Sequence, residues 1–70
     1  MTSDEIKKAM HEFSPVMYNG IVYKRITAYI YRAVRKPMSN TYKAVFQLEL
    51  LDRNEQSVTI AEAEKVELIQ

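Results

Sequence analysis

Ile21-Val22-Tyr23-Lys24-Arg25-Ile26-Thr27-Ala28-Tyr29-Ile30-Tyr31-Arg32-Ala33-Val34 is the stretch that decides how this chain folds. Its β-branched and aromatic side chains favour extended backbone, and it outruns the usual strand length of about five or six residues. A single strongly bent strand is expected. With a regular pleat, Ile21, Tyr23, Arg25, Thr27, Tyr29 and Tyr31 project from one face, and Val22, Lys24, Ile26, Ala28, Ile30, Arg32 and Val34 from the other. The even-numbered set reads as the core face. The odd-numbered face then carries three tyrosines and an arginine outward.

Before this stretch, Val16-Met17-Tyr18 is joined to Ile21-Val22-Tyr23 by Asn19-Gly20, the dipeptide best suited to the positive φ angles of a type I′ turn. A tight hairpin is expected there. Further upstream, Thr2 and Glu5 have the spacing of a capping box, and Ile6, Ala9, Met10 and Phe13 recur with helical period. The spacing predicts an amphipathic helix over about residues 3–13, stopped by Pro15 with Ser14 at the boundary.

After Val34, Arg35-Lys36-Pro37-Met38-Ser39-Asn40 reads as a loop and Thr41 to Leu51 as a second long strand. Ala44, Phe46, Leu48 and Leu50 share the face expected in the core. Asp52 to Gln56 is a polar turn. Ser57-Val58-Thr59-Ile60 and Lys65-Val66-Glu67-Leu68-Ile69 are short strands flanking a single helical turn at Ala61–Glu64.

The fold class expected is therefore α+β, mainly β. It is a single domain over residues 1–70, with an N-terminal amphipathic helix followed over about 15–69 by a small five-stranded antiparallel SH3-like barrel. A helix packed on an open antiparallel sheet is the alternative. In element order the chain resembles the Sm-like barrels, which also place a helix before five bent strands, and Asn19-Gly20-Ile21 sits near where such proteins turn. The resemblance implies a barrel only. No residue is matched to that family's RNA-contacting positions, and the basic loop after Val34 departs from its pattern, so ring assembly and uridine binding are not carried over.

A chain of 70 residues lies near the lower size limit for independent folding, and without cysteine it must rely on close apolar packing or on association. The absence of cysteine suits a reducing compartment. The acidic start and the lack of a long apolar run give the expectation of a cytoplasmic protein with no membrane segment.

The formal net charge of +1 conceals a gradient. Residues 1–19 sum to −1 and residues 46–70 to −4, whereas Lys24, Arg25, Arg32, Arg35, Lys36 and Lys43 give residues 20–45 a charge of +6 with no acid. Two readings fit this. Either the middle third presents a basic surface to a partner, or Lys43 and Arg32 face Glu49 or Glu67 across a sheet and are neutralised.

No constellation for catalysis stands out. One glycine cannot build a phosphate-cradling loop, His11 is the sole histidine and falls off the helix's apolar stripe, and no serine has a plausible base beside it. The carboxylates lie in turns and near the C-terminus rather than as a marked pair. The expectation is a protein that is not an enzyme and needs no cofactor. It binds a protein partner or forms a homo-oligomer, with nucleic acid as the alternative ligand.

Tyr23, Arg25, Tyr29 and Tyr31 are the expected partner-binding residues, with Arg35 and Lys36 at the rim and Tyr42 and Lys43 on the adjoining strand. Tyrosine and arginine are enriched at protein hot spots, and flat rings beside cations also suit stacked bases and phosphates. The same tyrosines can instead cover a small core with their hydroxyls in water.

Overall fold

A computed structural model describes residues 1–69 and orders them as one helix and six strands. Helix α1 spans Ser3–Glu12, and the strands are β1 Val16–Tyr18, β2 Ile21–Tyr23, β3 Arg25–Arg35, β4 Tyr42–Leu51, β5 Val58–Glu62 and β6 Val66–Leu68. A short 3-10 turn, Ala63–Lys65, joins β5 to β6.

The capping box forms as its spacing predicts. Glu5 N–H donates to Thr2 Oγ1 at 3.2 Å, and Thr2 N–H donates to Glu5 Oε1 at 2.9 Å, satisfying donors that the first helical turn leaves free. At the other end the helix stops one residue earlier than predicted. Phe13 adopts a left-handed conformation (φ 55°) and Ser14 N–H donates to Ala9 O at 2.9 Å. Phe13 therefore leaves the apolar stripe and is exposed, while Ile6 and Ala9 are buried.

The Asn19-Gly20 hairpin is present, with positive φ at both residues (55° and 77°), and it pairs β1 with β2. The single bent strand expected from Ile21 to Val34 is instead two strands, β2 and β3, divided at Lys24 and belonging to different sheets. Lys24 N–H donates to Leu51 O at 2.8 Å, so the chain stays anchored to β4 while it changes direction.

The closed five-stranded SH3-like barrel is not formed. The strands make two antiparallel sheets of three, ordered β2-β1-β6 and β3-β4-β5. Closure would need a ladder between β5 and β6, and the 3-10 turn carries the chain from one sheet to the other without one. The alternative of a helix on an open sheet describes part of the arrangement, since α1 packs against β3.

Within β3 the pleat is not regular. Ile26 lies opposite Leu50 and Ala28 opposite Glu49, so Thr27 is an extra residue, a β-bulge. Its hydroxyl is bonded to Glu49, 2.8 Å from Oε1 and 3.2 Å from the backbone oxygen. The bulge exchanges the two faces. Ile26, even-numbered, is buried before it, whereas after it the odd-numbered Tyr29 packs on the core opposite Leu48. The predicted even face therefore fails beyond Ile26, and Arg32 and Val34 are exposed.

Ile6, Ala9, Val16, Tyr23, Ile26, Leu48, Leu50, Ala61, Ala63 and Val66 form the core, drawn from the helix, every strand and the 3-10 turn. Ala44 and Phe46, predicted to join it, lie beyond its reach and are exposed. Among the described residues no helix is long and apolar enough to cross a membrane.

Two expectations follow from this packing. Leu48→Ala removes a wholly buried side chain and should lower unfolding free energy by about 2–5 kcal/mol in urea titration, against less than about 1 kcal/mol for the exposed Ile60→Ala. The second concerns Glu55. Its carboxylate accepts a hydrogen bond from Lys24 Nζ at 2.9 Å, and this bond together with the ammonium charge holds its pKa below the usual glutamate value. A lowered folded pKa means stability that is present above the unfolded value and lost as pH falls through the folded one. The small gap in unfolding midpoint between wild type and Glu55→Gln should therefore narrow on acidification.

Candidate functional site

β3 and β4 pair with each other along their full length, but β5 accompanies β4 only from Gln47 to Leu51. Residues 31–35 and 42–46 consequently stand out as a bare two-stranded ribbon, and the molecule measures 41 × 25 × 18 Å. The ribbon carries Arg32, Arg35, Lys36 and Lys43 and no acid.

Residues directly opposite in an antiparallel pair share a face. One ribbon face, continuous with the core, therefore carries Tyr31 opposite Phe46, Ala33 opposite Ala44 and Arg35 opposite Tyr42. The other carries Arg32 opposite Val45 and Val34 opposite Lys43. The first face begins with an aromatic ladder: Phe46 makes edge-to-face contacts with Tyr29 and Tyr31, with ring centroids 5.8 and 5.4 Å away. Tyr31 is 65% exposed, Tyr42 66% and Phe46 45%.

The predicted site residues are thus divided. Tyr31, Arg35, Lys36, Tyr42 and Lys43 come together on the ribbon and its loop. Tyr23 does not, being a core residue at 8% exposure. Tyr29 is half-buried against the core. Arg25 lies outside the ribbon, its guanidinium carbon 5.0 Å from the centre of the Phe13 ring, where it ties the helix end to the start of β3.

Arg32, Phe46 and Met38 belong to the site but fell outside the sequence-based set. A regular pleat places Arg32 on the core face, and the bulge turns it out to solvent. The face of Phe46 was legible in its alternation with Leu48 and Leu50, but not the point along β4 at which cover ends.

The ribbon's bases are not neutralised across the sheet. Glu49 lies opposite Ala28 and Ile60, and Glu67 opposite Met17, so neither faces Lys43 or Arg32. Ion pairs among the described residues join Lys8 to Glu12, Lys24 to Glu55 and Lys65 to Glu62, and none includes a ribbon base.

The loop at the ribbon's end is internally braced. Arg35 Nε donates to Ser39 O at 3.1 Å, its terminal nitrogen to Asn40 Oδ1 at 3.3 Å, and Lys36 N–H to Thr41 O at 3.1 Å. Met38 occupies the tip with φ 57° and its side chain wholly in solvent.

Beside the ribbon, where β5 departs, a groove of about 590 Å³ opens between the helix start, the free edge of β4 and the 3-10 turn. Met1, Ile6, Ala44 and Phe46 give it an apolar wall, and its charged lining is Lys43 from the ribbon with Glu62 and Glu64 from the far side, without an ion pair between them. Among the described residues no three His, Asp or Glu side chains converge as a metal would require.

Comparison of the chain with family models, curated proteins and solved structures finds no match.

The division of the tyrosines has a direct check in urea unfolding. Tyr23→Ala should cost about 3 kcal/mol or more, as a large core truncation, whereas Tyr31→Ala should cost about 1 kcal/mol, the worth of one aromatic pair.

Proposed function

We propose that this protein is a non-catalytic binding module whose working surface is the projecting β3–β4 ribbon, and that its ligand is nucleic acid. One observation carries the reading: Arg32, Arg35, Lys36 and Lys43 lie on a slender projection with no acid among them and no ion pair to any described residue. Unpaired cations beside exposed rings provide the two interactions nucleic acids offer, neutralisation of phosphate and contact with base faces. The chain's total of +1 provides no general attraction, so binding depends on the local field of the ribbon.

A protein partner, or a second copy of the chain, is the other reading. The exposed rings of Tyr31, Phe46 and Tyr42 on one face, beside the groove, favour it, since large rings with polar tips suit hot spots.

Fluorescence anisotropy with labelled oligonucleotides distinguishes the two. Binding is expected at low salt, with log K falling against log salt at a slope of roughly −3 to −4 if the four bases each meet a phosphate. Arg32→Ala and Lys43→Ala should each reduce that slope by about 1 while leaving the circular dichroism spectrum intact. Absence of binding to single-stranded and duplex oligonucleotides at low salt overturns the nucleic-acid reading. Concentration-dependent self-association that Tyr31→Ala abolishes would then support the protein interface.

A further inference from the structure

We infer that the ligand is double-stranded DNA and that the ribbon enters its major groove tip first, with a phosphate backbone on either side. The inference rests on the nucleic-acid reading above and adds the form of the nucleic acid and the geometry of contact.

The first ground is the distribution of charge around the ribbon. Arg32 and Lys43 belong to one face, Arg35 to the opposite face, and Lys36 to the loop between the strands. A surface for a single strand gathers its cations and rings on one side. Here cations lie on both sides of a thin projection, which suits a ligand that encloses it. A duplex groove does so, because its walls are two phosphate backbones.

Dimensions select the groove. A strand pair with side chains on both faces is about 10 Å thick, judging from the spacing of stacked sheets, against about 12 Å for the major groove of B-form DNA and about 6 Å for the minor groove. The major groove of duplex RNA is too narrow and deep for side chains to read. A groove about 8.5 Å deep takes in two or three residues of each strand at about 3.3 Å per residue. The loop Lys36–Thr41 and the pair Arg35–Tyr42 fill that depth, leaving Lys43 and Arg32 at the lip with side chains long enough to reach phosphate. Ala33 and Ala44, opposite each other, keep the ribbon slim where it meets the lip.

The tip supplies the third ground. Met38 is an apolar residue held in left-handed backbone, a conformation that favours glycine or asparagine, and its side chain has no cover. The hydrogen bonds of Arg35, Lys36 and Ser39 brace the loop around it, so its exposure is built in. On the groove floor the apolar group is the thymine C5-methyl, and Met38 is placed to meet it.

The test uses the intact chain and oligonucleotides of equal length as duplex DNA, single-stranded DNA and duplex RNA. Duplex DNA should bind about tenfold more tightly or better than either alternative. Guanine N7, which lies in the major groove, should be protected from dimethyl sulfate, and the minor-groove ligand netropsin should not compete. Replacing thymine by uracil should weaken binding by about fourfold for one lost methyl contact. Met38→Asn, which suits the backbone at that position, should abolish that difference and leave the salt slope unchanged.

Equal or tighter binding of single strands or duplex RNA, unprotected N7, displacement by netropsin, or indifference to both uracil and Met38→Asn would each overturn the inference and leave the nucleic-acid reading standing. Failure to bind any nucleic acid overturns both.

Discussion

Thr27 is the residue on which the geometry of this protein depends. By adding one position to β3 without a counterpart on β4, it allows Ile26 and Tyr29 to face the same core although an unbroken pleat would send them to opposite sides. Its hydroxyl bonds with Glu49 hold the extra residue in register. Every assignment further along the ribbon follows from this step: Tyr31, Ala33 and Arg35 continue the core face, and Arg32 and Val34 turn outward.

A second constraint is how much strand so small a core can cover. The buried cluster holds the helix, both sheets and the 3-10 turn together, each element contributing one or two apolar side chains. Among the described residues no third strand pairs with the distal halves of β3 and β4. The core face therefore continues into solvent, and the same alternation that gives Leu48 and Leu50 at its centre gives Phe46 and Tyr42 beyond its edge. The ribbon is in this sense an extension of the core for which the chain has no second layer.

What could be read from the sequence was local. The Thr2–Glu5 box, the Asn19-Gly20 turn and the polar turn after Leu51 each depend on residues within a few positions of one another and lie where their spacing indicates, while the loop expected at Arg35–Asn40 is displaced by one residue, with Arg35 paired in β3. Closure of the strands was not legible in this way, because it is decided by the path between β5 and β6, where Ala63–Lys65 turns the chain away from a ladder. Nor was the bulge, which exists only relative to the register of β4. The site shows the same division: the basic residues were evident, whereas their freedom from acids required knowing that Glu49 faces Ala28 and Ile60.

The bare ribbon also bears on the behaviour of many copies together. Among the described residues neither strand pairs beyond Gln47 with any strand but its partner, so the outer backbone donors and acceptors there are left without a ladder, the arrangement from which sheet aggregates grow. Arg32, Arg35, Lys36 and Lys43 line those edges, and like charges oppose the approach of a second ribbon. On the reading proposed above, the cations that would meet the ligand would also disfavour pairing between unbound copies. Salt that screens them would weaken both effects together, so that release of such a ligand would coincide with weaker repulsion between ribbons.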